Sequence, residues 1–415
     1  MIFRMDQFLS SLSKGLDAVE DEVFGATTNH GKRLAVLCLA MGRRLDWSGD
    51  DLIGVAACSL LHDIALPRYF HAIVKEGLHG EGFRSHCIRG EEDVANLPFP
   101  GDVAGLIKYH HEYADRSGPF HMDANDVPQG AQWIAMVDNL DEHHDFRGPS
   151  KPAIAEIRMY IKGKGGVFYT APATDALLTV LDEALLSSLE DERIDETFVR
   201  MMPPWTVEKE PSELMHIAEI VAAVTDCKSQ FTAKHSIQIA NRAFWMARFY
   251  GYDRETCATV YLAAAFHDIG KLLTPTNVLE KAGKLTEEEY RVITDHVRWS
   301  YRLLKDVEGF ETICRWATTH HRKLDGTGYP ELPPDYLKLD FFSRMMACID
   351  VYQAVRETRP YHAGRTHRET MDIMWEMVGR GEIDRDITHD MDTEMARFES
   401  GDGDVPAPQT YAFSI

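Results

Sequence analysis

Paired histidines followed by glycine-containing loops occur twice in this sequence. His320 and His321 open the stretch HHRKLDGTGYP, and His110 and His111 open the stretch HHEYADRSGPF. Imidazole binds divalent transition metals and changes its charge near neutral pH. In a chain with 19 histidines, two such pairs indicate metal chemistry.

The histidine pairs belong to a longer internal repeat. In both halves of the chain the first two histidines are 32 positions apart, and a third stands 24 positions before the pair. One aspartate directly follows the second histidine, and another follows the pair by 27 positions in the first half and 29 in the second. The first set is His30, His62, Asp63, His86, His110, His111 and Asp138, and the second set is His235, His267, Asp268, His296, His320, His321 and Asp350. Recurrence in the same order predicts a duplicated domain.

Each set combines imidazole and carboxylate groups without a thiolate, which suits iron, manganese or zinc. Seven ligands are too many for one ion and about right for two, because an aspartate can bridge neighbouring metals. Two ions about 3.5–4 Å apart can clamp a phosphodiester and convert a bound water into a hydroxide. Such a hydroxide is a nucleophile suited to phosphoester hydrolysis.

The alternative for any one of these positions is a buried histidine that only makes hydrogen bonds in the core. Adjacent histidines also arise by chance. Duplication copies a whole pattern, but the residues between the polar positions have diverged while those positions persist. The recurrence of the full set therefore favours a ligand set over the simpler interpretation.

Hydrophobic periodicity predicts an all-α fold of two tandem helical domains. Thr286 and Glu289 have the spacing of a capping box that starts a helix. Apolar residues precede both histidine pairs at helical spacing, which predicts that both pairs continue a helix and point inward. Ile313, Trp316 and Ala317 precede the second pair, and Val103, Leu106 and Ile107 precede the first.

The chain of 415 residues is long enough for two domains with their own cores. Prolines and charges interrupt the helical pattern near the middle of the chain. We predict a first domain at residues 1–198, a linker at 199–212, a catalytic domain at 213–397 and a mobile tail at 398–415.

Composition limits the possible partners and the compartment. The formal net charge of −22 argues against binding a long nucleic acid. The sequence has neither an apolar run of about 18 residues, as a membrane span requires, nor a recognisable signal peptide. The seven cysteines contain no CxxC, which favours free thiols in a reducing cytoplasm. A homodimer is left open.

The stretch FHDIGK, taken with HHRKLDGTGYP, resembles the HD-GYP branch of the HD-domain phosphohydrolases. The resemblance covers roughly Glu213 to Arg397. It implies an all-α, metal-dependent phosphodiesterase for cyclic dinucleotides, chiefly cyclic di-GMP and, in some members, 3′,3′-cyclic GMP-AMP. It also implies two divalent ions, iron or manganese, held by the second set of seven residues. The tandem arrangement is similar to members that act on cyclic GMP-AMP, so both substrates are kept.

Further site residues follow from the same resemblance. Asp268 and Lys271 would be catalytic, with Lys271 in contact with the phosphate. Gly328, Tyr329 and Pro330 would form the signature loop beside the substrate. The stretch RPYHAG, from Arg359 to Gly364, resembles the segment that follows the late aspartate.

Two positions depart from the family pattern. Arg322 stands where a glutamate usually follows the histidine pair, which alters the local contacts or adds a phosphate partner. Phe231 stands where members with three metals carry a glutamate. We therefore expect two metal ions.

The first copy lacks parts of the pattern. Ala65 and Leu66 replace the glycine and lysine of the second copy, and GPF replaces GYP. Arg68 is a candidate substitute for the missing lysine. We hypothesise a metal-binding domain with weak or no phosphodiesterase activity that regulates, dimerises or senses a ligand. In the rival interpretation its ligands are a vestigial polar core.

Two other functions are compatible with the sequence. One is a non-catalytic receptor for cyclic dinucleotides, against which the complete ligand set and Lys271 argue. The other is a broader phosphohydrolase of nucleotides or linear dinucleotides, against which only the GYP loop argues.

Overall fold

The computed structural model describes residues 1–77, 80–148, 153–229, 234–336, 338–358 and 363–400. The chain divides into two compact units. Arg4–Val207 form one, called here the N-terminal unit, and Met1–Phe3 with the residues from Glu208 onward form the C-terminal unit. The division falls within the predicted linker at 199–212.

Helices build the N-terminal unit. They are α1 Met5–Phe24, α2 His30–Arg44, α3 Gly49–Leu61, α4 Leu66–Glu76, α5 Glu81–Val94, α6 Gln129–His143, α7 Ile154–Lys164, α8 Ala171–Val180, α9 Glu183–Ser188 and α10 Ile194–Met201, with a 3-10 helix at Ala124–Asp126.

Helices also build the C-terminal unit. They are α11 Pro211–Cys227, α12 His235–Phe249, α13 Arg254–Phe266, α14 Thr276–Leu279, α15 Glu287–Thr294, α16 His296–Leu304, α17 Glu311–Ala317, α18 Phe341–Arg356, α19 His367–Gly379 and α20 Arg385–Ser400, with 3-10 helices at Ile269–Leu273 and Pro334–Tyr336.

Two short strands, β1 Ile2–Arg4 and β2 Thr206–Glu208, form a two-stranded sheet. With so little strand, the predicted all-α class is confirmed. The predicted linker contains the end of α10, β2 and the first turn of α11. The predicted tail is helical as far as Ser400, and its remaining positions lie outside the described residues. No helix in the described ranges is both long and apolar enough to cross a membrane.

The same packing scheme supports the site in each unit. α2 packs against α3 and α6 in the N-terminal unit, and α12 packs against α13 and α18 in the C-terminal unit. In both units the helix that begins with the first histidine contacts the helix before the His-Asp pair and the helix that carries the late aspartate. Three separate segments of chain thereby converge on one position.

Local sequence explains where the site helices begin and end. The predicted capping box is confirmed, because the Thr286 side chain accepts a hydrogen bond from the Glu289 backbone and the Glu289 carboxylate accepts one from the Thr286 backbone N–H. The helix started there ends at Thr294, and α16 begins separately at His296.

The prediction that both histidine pairs continue helices is wrong. α17 ends at Ala317, where the hydroxyls of Thr318 and Thr319 bond to carbonyls four residues back and compete with the helix. Before the first pair, Gly105 has a φ of 79°, a left-handed conformation that cannot continue a right-handed helix. The inward direction is nevertheless correct, because His320 is only 2% exposed and His110 is 0% exposed.

Candidate metal centres

Helix ends deliver most of the second ligand set. His235 and His296 begin α12 and α16, and His267 with Asp268 follows the end of α13. His320 and His321 follow α17, and Asp350 lies within α18. All are buried except His321, whose side chain is 29% exposed.

Asp268 lies between two groups of histidines. Its Oδ1 is 3.1 Å from His296 Nε2, and its Oδ2 is 3.1 Å from His267 Nε2 and 3.5 Å from His235 Nε2. The two oxygens of one carboxylate therefore face opposite groups. This is the arrangement that a bridging ligand between two metals requires.

The ligand atoms fall into two clusters of three. His235, His267 and Asp268 form one, and His296, His320 and His321 form the other, with the ligand atoms of each cluster within 4.8 Å of one another.

Asp350 lies close to one histidine of each cluster. Its Oδ1 is 3.7 Å from His235 Nε2, and its Oδ2 is 3.5 Å from His321 Nδ1. The structure thus brings all seven predicted residues together.

Backbone hydrogen bonds fix the tautomers of the histidines. The Nδ1 atoms of His267, His296 and His320 lie 2.6–2.7 Å from carbonyl oxygens three residues earlier. A carbonyl only accepts, so each Nδ1 carries the proton and each Nε2 presents a lone pair. Among the described residues none of these Nε2 atoms makes a hydrogen bond of acceptable geometry. Lone pairs that face a carboxylate in a buried site fit a divalent cation.

Burial and local charge shift the pKa values of several of these residues. Burial lowers the pKa of His267, but the charge of Asp268 outweighs it and leaves that pKa above its ordinary value. Burial by itself raises the pKa of the Asp268 carboxyl, but the charges of His267 and Lys271 outweigh it and hold that pKa well below its usual range. Burial holds the pKa of His320 well below its ordinary value and lowers the pKa of His321 to about 3. At neutral pH the aspartate is therefore ionised and both rings of the pair are neutral.

Glu357 is a supporting residue that sequence reasoning missed. His235 Nδ1 lies 2.9 Å from a carboxylate oxygen of Glu357, and Gln353 Nε2 donates to that carboxylate at 2.5 Å. A carboxylate behind a metal-binding imidazole orients the ring and raises its basicity. A signal existed, because Gln353 and Glu357 follow Asp350 by three and seven positions, which is the spacing of one helix face, although Glu357 is the residue directly after α18.

The segment after Asp268 places a positively charged lysine side chain beside the cluster. Lys271 lies in the 3-10 helix, is 19% exposed at its side chain, and its Nζ contacts Asp268 Oδ2. The preceding Gly270 permits the approach, since a Cβ there would lie 1.9 Å from the carbonyl oxygen of His296. Ser300 Oγ accepts from Gly270 N and donates to His267 O, both at 2.9 Å.

The GYP loop lies beside the histidines. The Tyr329 ring centroid is 4.7 Å from that of His321, and the Tyr329–Pro330 peptide bond is cis. Gly328 has a φ of 91°, and a Cβ there would lie 2.1 Å from the carbonyl oxygen of His321. Arg322 is half-buried and its Nη1 donates to Pro330 O at 3.4 Å. Its side chain therefore contacts the GYP loop.

Two earlier expectations concern positions that lie outside the described residues. They are Phe231, on which the expectation of two rather than three metals depends, and Arg359 to His362 of the RPYHAG stretch.

The first ligand set is also brought together. His30 Nε2 is 3.2 Å from Asp138 Oδ1, and Asp63 Oδ1 is 3.3 Å from His86 Nε2 and 3.6 Å from His110 Nε2. His111 Nδ1 is 3.9 Å from Asp138 Oδ2. The clusters are Glu20, His30, His62 and Asp138 in one and His86, Cys87, His110 and His111 in the other.

Two members of these clusters were not predicted. Glu20 lies on α1, ten positions before His30, and its Oε1 is 3.2 Å from His30 Nε2. Burial raises the pKa of Glu20 well above its ordinary value. Cys87 brings its Sγ to 3.6 Å from His86 Nε2, and burial raises the pKa of its thiol to about 12. Neither residue belongs to the repeat, so the repeat gave no signal for them.

A carboxylate also supports the first histidine of this copy. Asp141 Oδ2 is 2.7 Å from His30 Nδ1, and the Arg33 guanidinium donates to both oxygens of Asp141. Asp141 stands three positions after Asp138 on α6 and therefore shares its face.

The first copy has a leucine at the position of the lysine. Leu66, at the position of Lys271, is 0% exposed. Burial by itself raises the pKa of the Asp63 carboxyl. His62, His110 and His86 lower it by more than burial raises it, so this pKa lies well below its usual range. The charge of Arg68 acts on the pKa of Asp93 in α5.

A helical fold that gathers histidines and aspartates around a shared carboxylate defines a class of metal-dependent hydrolases. A family model described as HD domain matches residues 219–387, and a second model with that description matches residues 27–142. A 3′3′-cGAMP-specific phosphodiesterase of Vibrio cholerae is 31% identical over 91% of this chain and 88% of the relative. A cyclic di-GMP phosphodiesterase of Pseudomonas aeruginosa is 26% identical over 56% of this chain and 54% of the relative.

A solved structure has the same fold. The crystal structure of a cyclic GMP-AMP-specific phosphodiesterase of V. cholerae matches with a TM-score of 0.66 and 22% identity, covering 95% of this chain and 98% of that one. The chain belongs to the HD-GYP branch of the HD-domain phosphohydrolases and carries a divergent HD domain before the HD-GYP domain. The resemblance drawn from the sequence is confirmed.

Proposed function

We propose that this protein is a metal-dependent phosphodiesterase whose C-terminal unit hydrolyses a cyclic dinucleotide. The products are the linear dinucleotide and, after further hydrolysis, mononucleotides. The observation that carries the proposal is the position of Asp268. One oxygen faces His296, the other faces His235 and His267, and Lys271 contacts the same carboxylate. We assign the catalytic domain to residues 213–397.

The imidazole and carboxylate donors suit two divalent cations such as iron, manganese or zinc, and the family resemblance favours iron or manganese. When bound, the ions would lower the pKa of a water and neutralise charge on the phosphodiester. His235, His267, Asp268, His296, His320, His321 and Asp350 are the proposed ligands.

The chain's own residues then orient the substrate and stabilise charge. Lys271 supplies a positive charge next to Asp268, where a non-bridging phosphate oxygen gains negative charge as the reaction proceeds. Glu357 holds the ring of His235 in one orientation. Tyr329 lies against His321 and offers an aromatic surface at the edge of the site.

For the substrate we propose 3′,3′-cyclic GMP-AMP first and cyclic di-GMP second. The relative that matches 91% of this chain is named for the former, and the P. aeruginosa relative, which matches 56%, is named for the latter. For the N-terminal unit we propose a metal-binding domain without efficient hydrolysis, because its ligands are gathered while Leu66 replaces the lysine.

Product analysis tests the proposal. The purified full chain, loaded with Mn²⁺ or anaerobically with Fe²⁺, is incubated separately with each cyclic dinucleotide, and the products are separated by ion-exchange chromatography. We expect linear dinucleotide only in the metal-loaded samples and none after EDTA treatment. Absence of product from both substrates, with metal measured in the protein, would contradict the proposal.

A further inference from the structure

The N-terminal unit contains a cavity of about 770 Å³ above its ligand set. Glu20, His30, Asp63, His111 and Asp138 all line it. Its volume lies within the range of about 300–1,000 Å³ that is typical of small-molecule sites. The candidate metal ligands of this unit are therefore accessible to a ligand.

Buried polar atoms without hydrogen bonds lie at the bottom of this cavity. In the described part of the chain, His30 Nε2, Asp63 Oδ1 and His111 Nε2 make no hydrogen bond of acceptable geometry. His30 is 1% exposed and Asp63 is 3% exposed. Buried polar groups are costly unless something satisfies them. A cation held by these atoms, with a ligand above it, would do so.

Aromatic side chains form part of the cavity wall. Phe24, Phe83 and Tyr113 line it and are half-buried. The Phe83 ring stacks on His111, with centroids 4.6 Å apart and an interplanar angle of 29°. Arg84, which is exposed, also lines the cavity. Flat aromatic surfaces beside a guanidinium suit a planar base attached to a phosphate.

The charge of the cavity limits how such a ligand binds. Glu20, Asp63 and Asp138 lie at the bottom, and Glu81, Asp141 and Glu142 also line the cavity. Without cations this surface repels a phosphate, so binding must depend on metal.

The same charges explain why binding would not lead to efficient hydrolysis. Relative to the C-terminal unit, the N-terminal ligand clusters contain one additional carboxylate, Glu20, and have Leu66 in place of Lys271. With Glu20 ionised as a metal ligand, equal metal loading would leave this site less positive by two unit charges, one from Glu20 and one from the missing lysine. Phosphoryl transfer needs positive charge where the phosphate oxygens gain negative charge.

We propose that the N-terminal cavity is a metal-dependent binding site for a nucleotide, with the phosphate toward the His-Asp clusters and the base against Phe83 and Tyr113, and that it binds without efficient hydrolysis. The proposal rests on the N-terminal ligand set and not on the activity of the C-terminal unit.

The test is a calorimetric titration of the full chain carrying Lys271→Ala and loaded with Mn²⁺. The probes are 5′-GMP, 5′-AMP and inorganic phosphate. Two variants, Arg84→Glu and Phe83→Ala, alter the cavity without changing a proposed metal ligand. Lys75→Glu is the matched control, because it is an exposed charge reversal on α4 that does not line the cavity. Circular dichroism checks that each variant is folded.

The expected result is saturable binding of a mononucleotide that weakens at least about tenfold in Arg84→Glu and in Phe83→Ala and is unchanged in Lys75→Glu. Inorganic phosphate should bind more weakly, and EDTA should abolish binding. The proposal is overturned by the absence of binding, by equal affinities for phosphate and nucleotide, by binding that survives EDTA, or by cavity variants that bind like the control. If Phe83→Ala fails to fold, Arg84→Glu alone decides. Hydrolysis by the wild-type chain is measured separately, so failure here leaves the proposed function standing.

Discussion

The two units assemble the same seven ligand positions but differ in the residues that serve them. In the C-terminal unit Lys271 contacts the central aspartate, whereas in the N-terminal unit Leu66 is buried at that position. In the N-terminal unit Glu20 adds a carboxylate to the first cluster. The comparison indicates that gathering these histidines and aspartates and placing a lysine beside them are separable properties of this fold.

Close packing beside the central aspartate is retained by a different choice of residues. Gly270 and Ser300 meet in the C-terminal unit, and their counterparts by position are Ala65 and Gly90. A Cβ on Gly90 would lie 2.8 Å from the Ile107 side chain. The glycine has thus moved from the segment after the aspartate to the facing helix. The missing glycine of the first copy is therefore not a sign of a collapsed site.

The loop after the histidine pair is also held in two ways. Glu112, directly after the first pair, accepts hydrogen bonds from the backbones of Phe120 and Met122, both at 2.7 Å. Arg322 stands at the equivalent position and donates to Pro330 O instead. The first copy keeps the glutamate of the family pattern, and the second replaces it with a residue of opposite charge that contacts the same loop.

The largest expected effect concerns the position of Lys271, which Leu66 occupies in the first copy. Lys271→Ala should lower kcat by about 10²–10³-fold while leaving bound metal unchanged, because a charge that stabilises the reacting phosphate is lost. Leu66→Ala should leave kcat unchanged and lower the free energy of unfolding by about 2–5 kcal/mol. Steady-state kinetics, metal analysis and urea unfolding measure these effects. Equal kcat losses in the two variants would break the comparison.

The second copy has a glycine where the first has an alanine, and this difference predicts unequal losses in the free energy of unfolding when the two residues are exchanged. Gly270→Ala should cost about 3 kcal/mol, because its Cβ would overlap the His296 carbonyl and the backbone must shift. Ala65→Gly should cost about 1 kcal/mol, mainly through the greater freedom of the unfolded chain. Urea unfolding of both variants is the measurement. A Gly270→Ala protein as stable as wild type would show that the close approach is not required.

The carboxylates behind the first histidines provide the next comparison. Glu357→Gln should weaken Mn²⁺ affinity of the C-terminal unit by about 10–100-fold, because a neutral amide oxygen replaces the charged acceptor that orients His235 and raises its basicity. Asp141→Asn should in addition destabilise the fold, since Arg33 loses a charged partner. Glu369→Gln, a helix-capping position on α19, is the control for charge. Unchanged Mn²⁺ binding, followed by electron paramagnetic resonance, would remove Glu357 from the supporting role.

The smallest expected effects concern the loop. Glu112→Ala should lower the free energy of unfolding by about 1–3 kcal/mol, because two backbone N–H groups lose their acceptor. Arg322→Ala should cost less than about 1 kcal/mol, because its 3.4 Å contact is long and half-buried. If Arg322→Ala instead raises KM strongly without changing stability, the predicted contact of Arg322 with substrate phosphate regains support.

The sequence predicted the helical class and the residues that the structure gathers, because duplication repeats polar positions that must point inward. It failed where local backbone geometry ends a helix and where a site residue occurs in only one of the two copies. The helix before His110 is prevented by Gly105, and the one before His320 ends at two threonine hydroxyls. Glu20 escaped detection because the second copy has no equivalent to reveal it. Glu357 was missed even though it follows Asp350 by seven positions, the spacing of one helix face, directly after the end of α18.

The central claim is that hydrolysis belongs to the C-terminal unit although both units gather the same ligands. The most direct measurement compares Asp268→Ala with Asp63→Ala in the full chain, with metal loaded and linear dinucleotide quantified by ion-exchange chromatography. The account predicts that product formation falls by at least about 10³-fold in Asp268→Ala and stays within about threefold of wild type in Asp63→Ala. Loss of product in the Asp63→Ala protein, with its fold and C-terminal metal intact, would contradict the account.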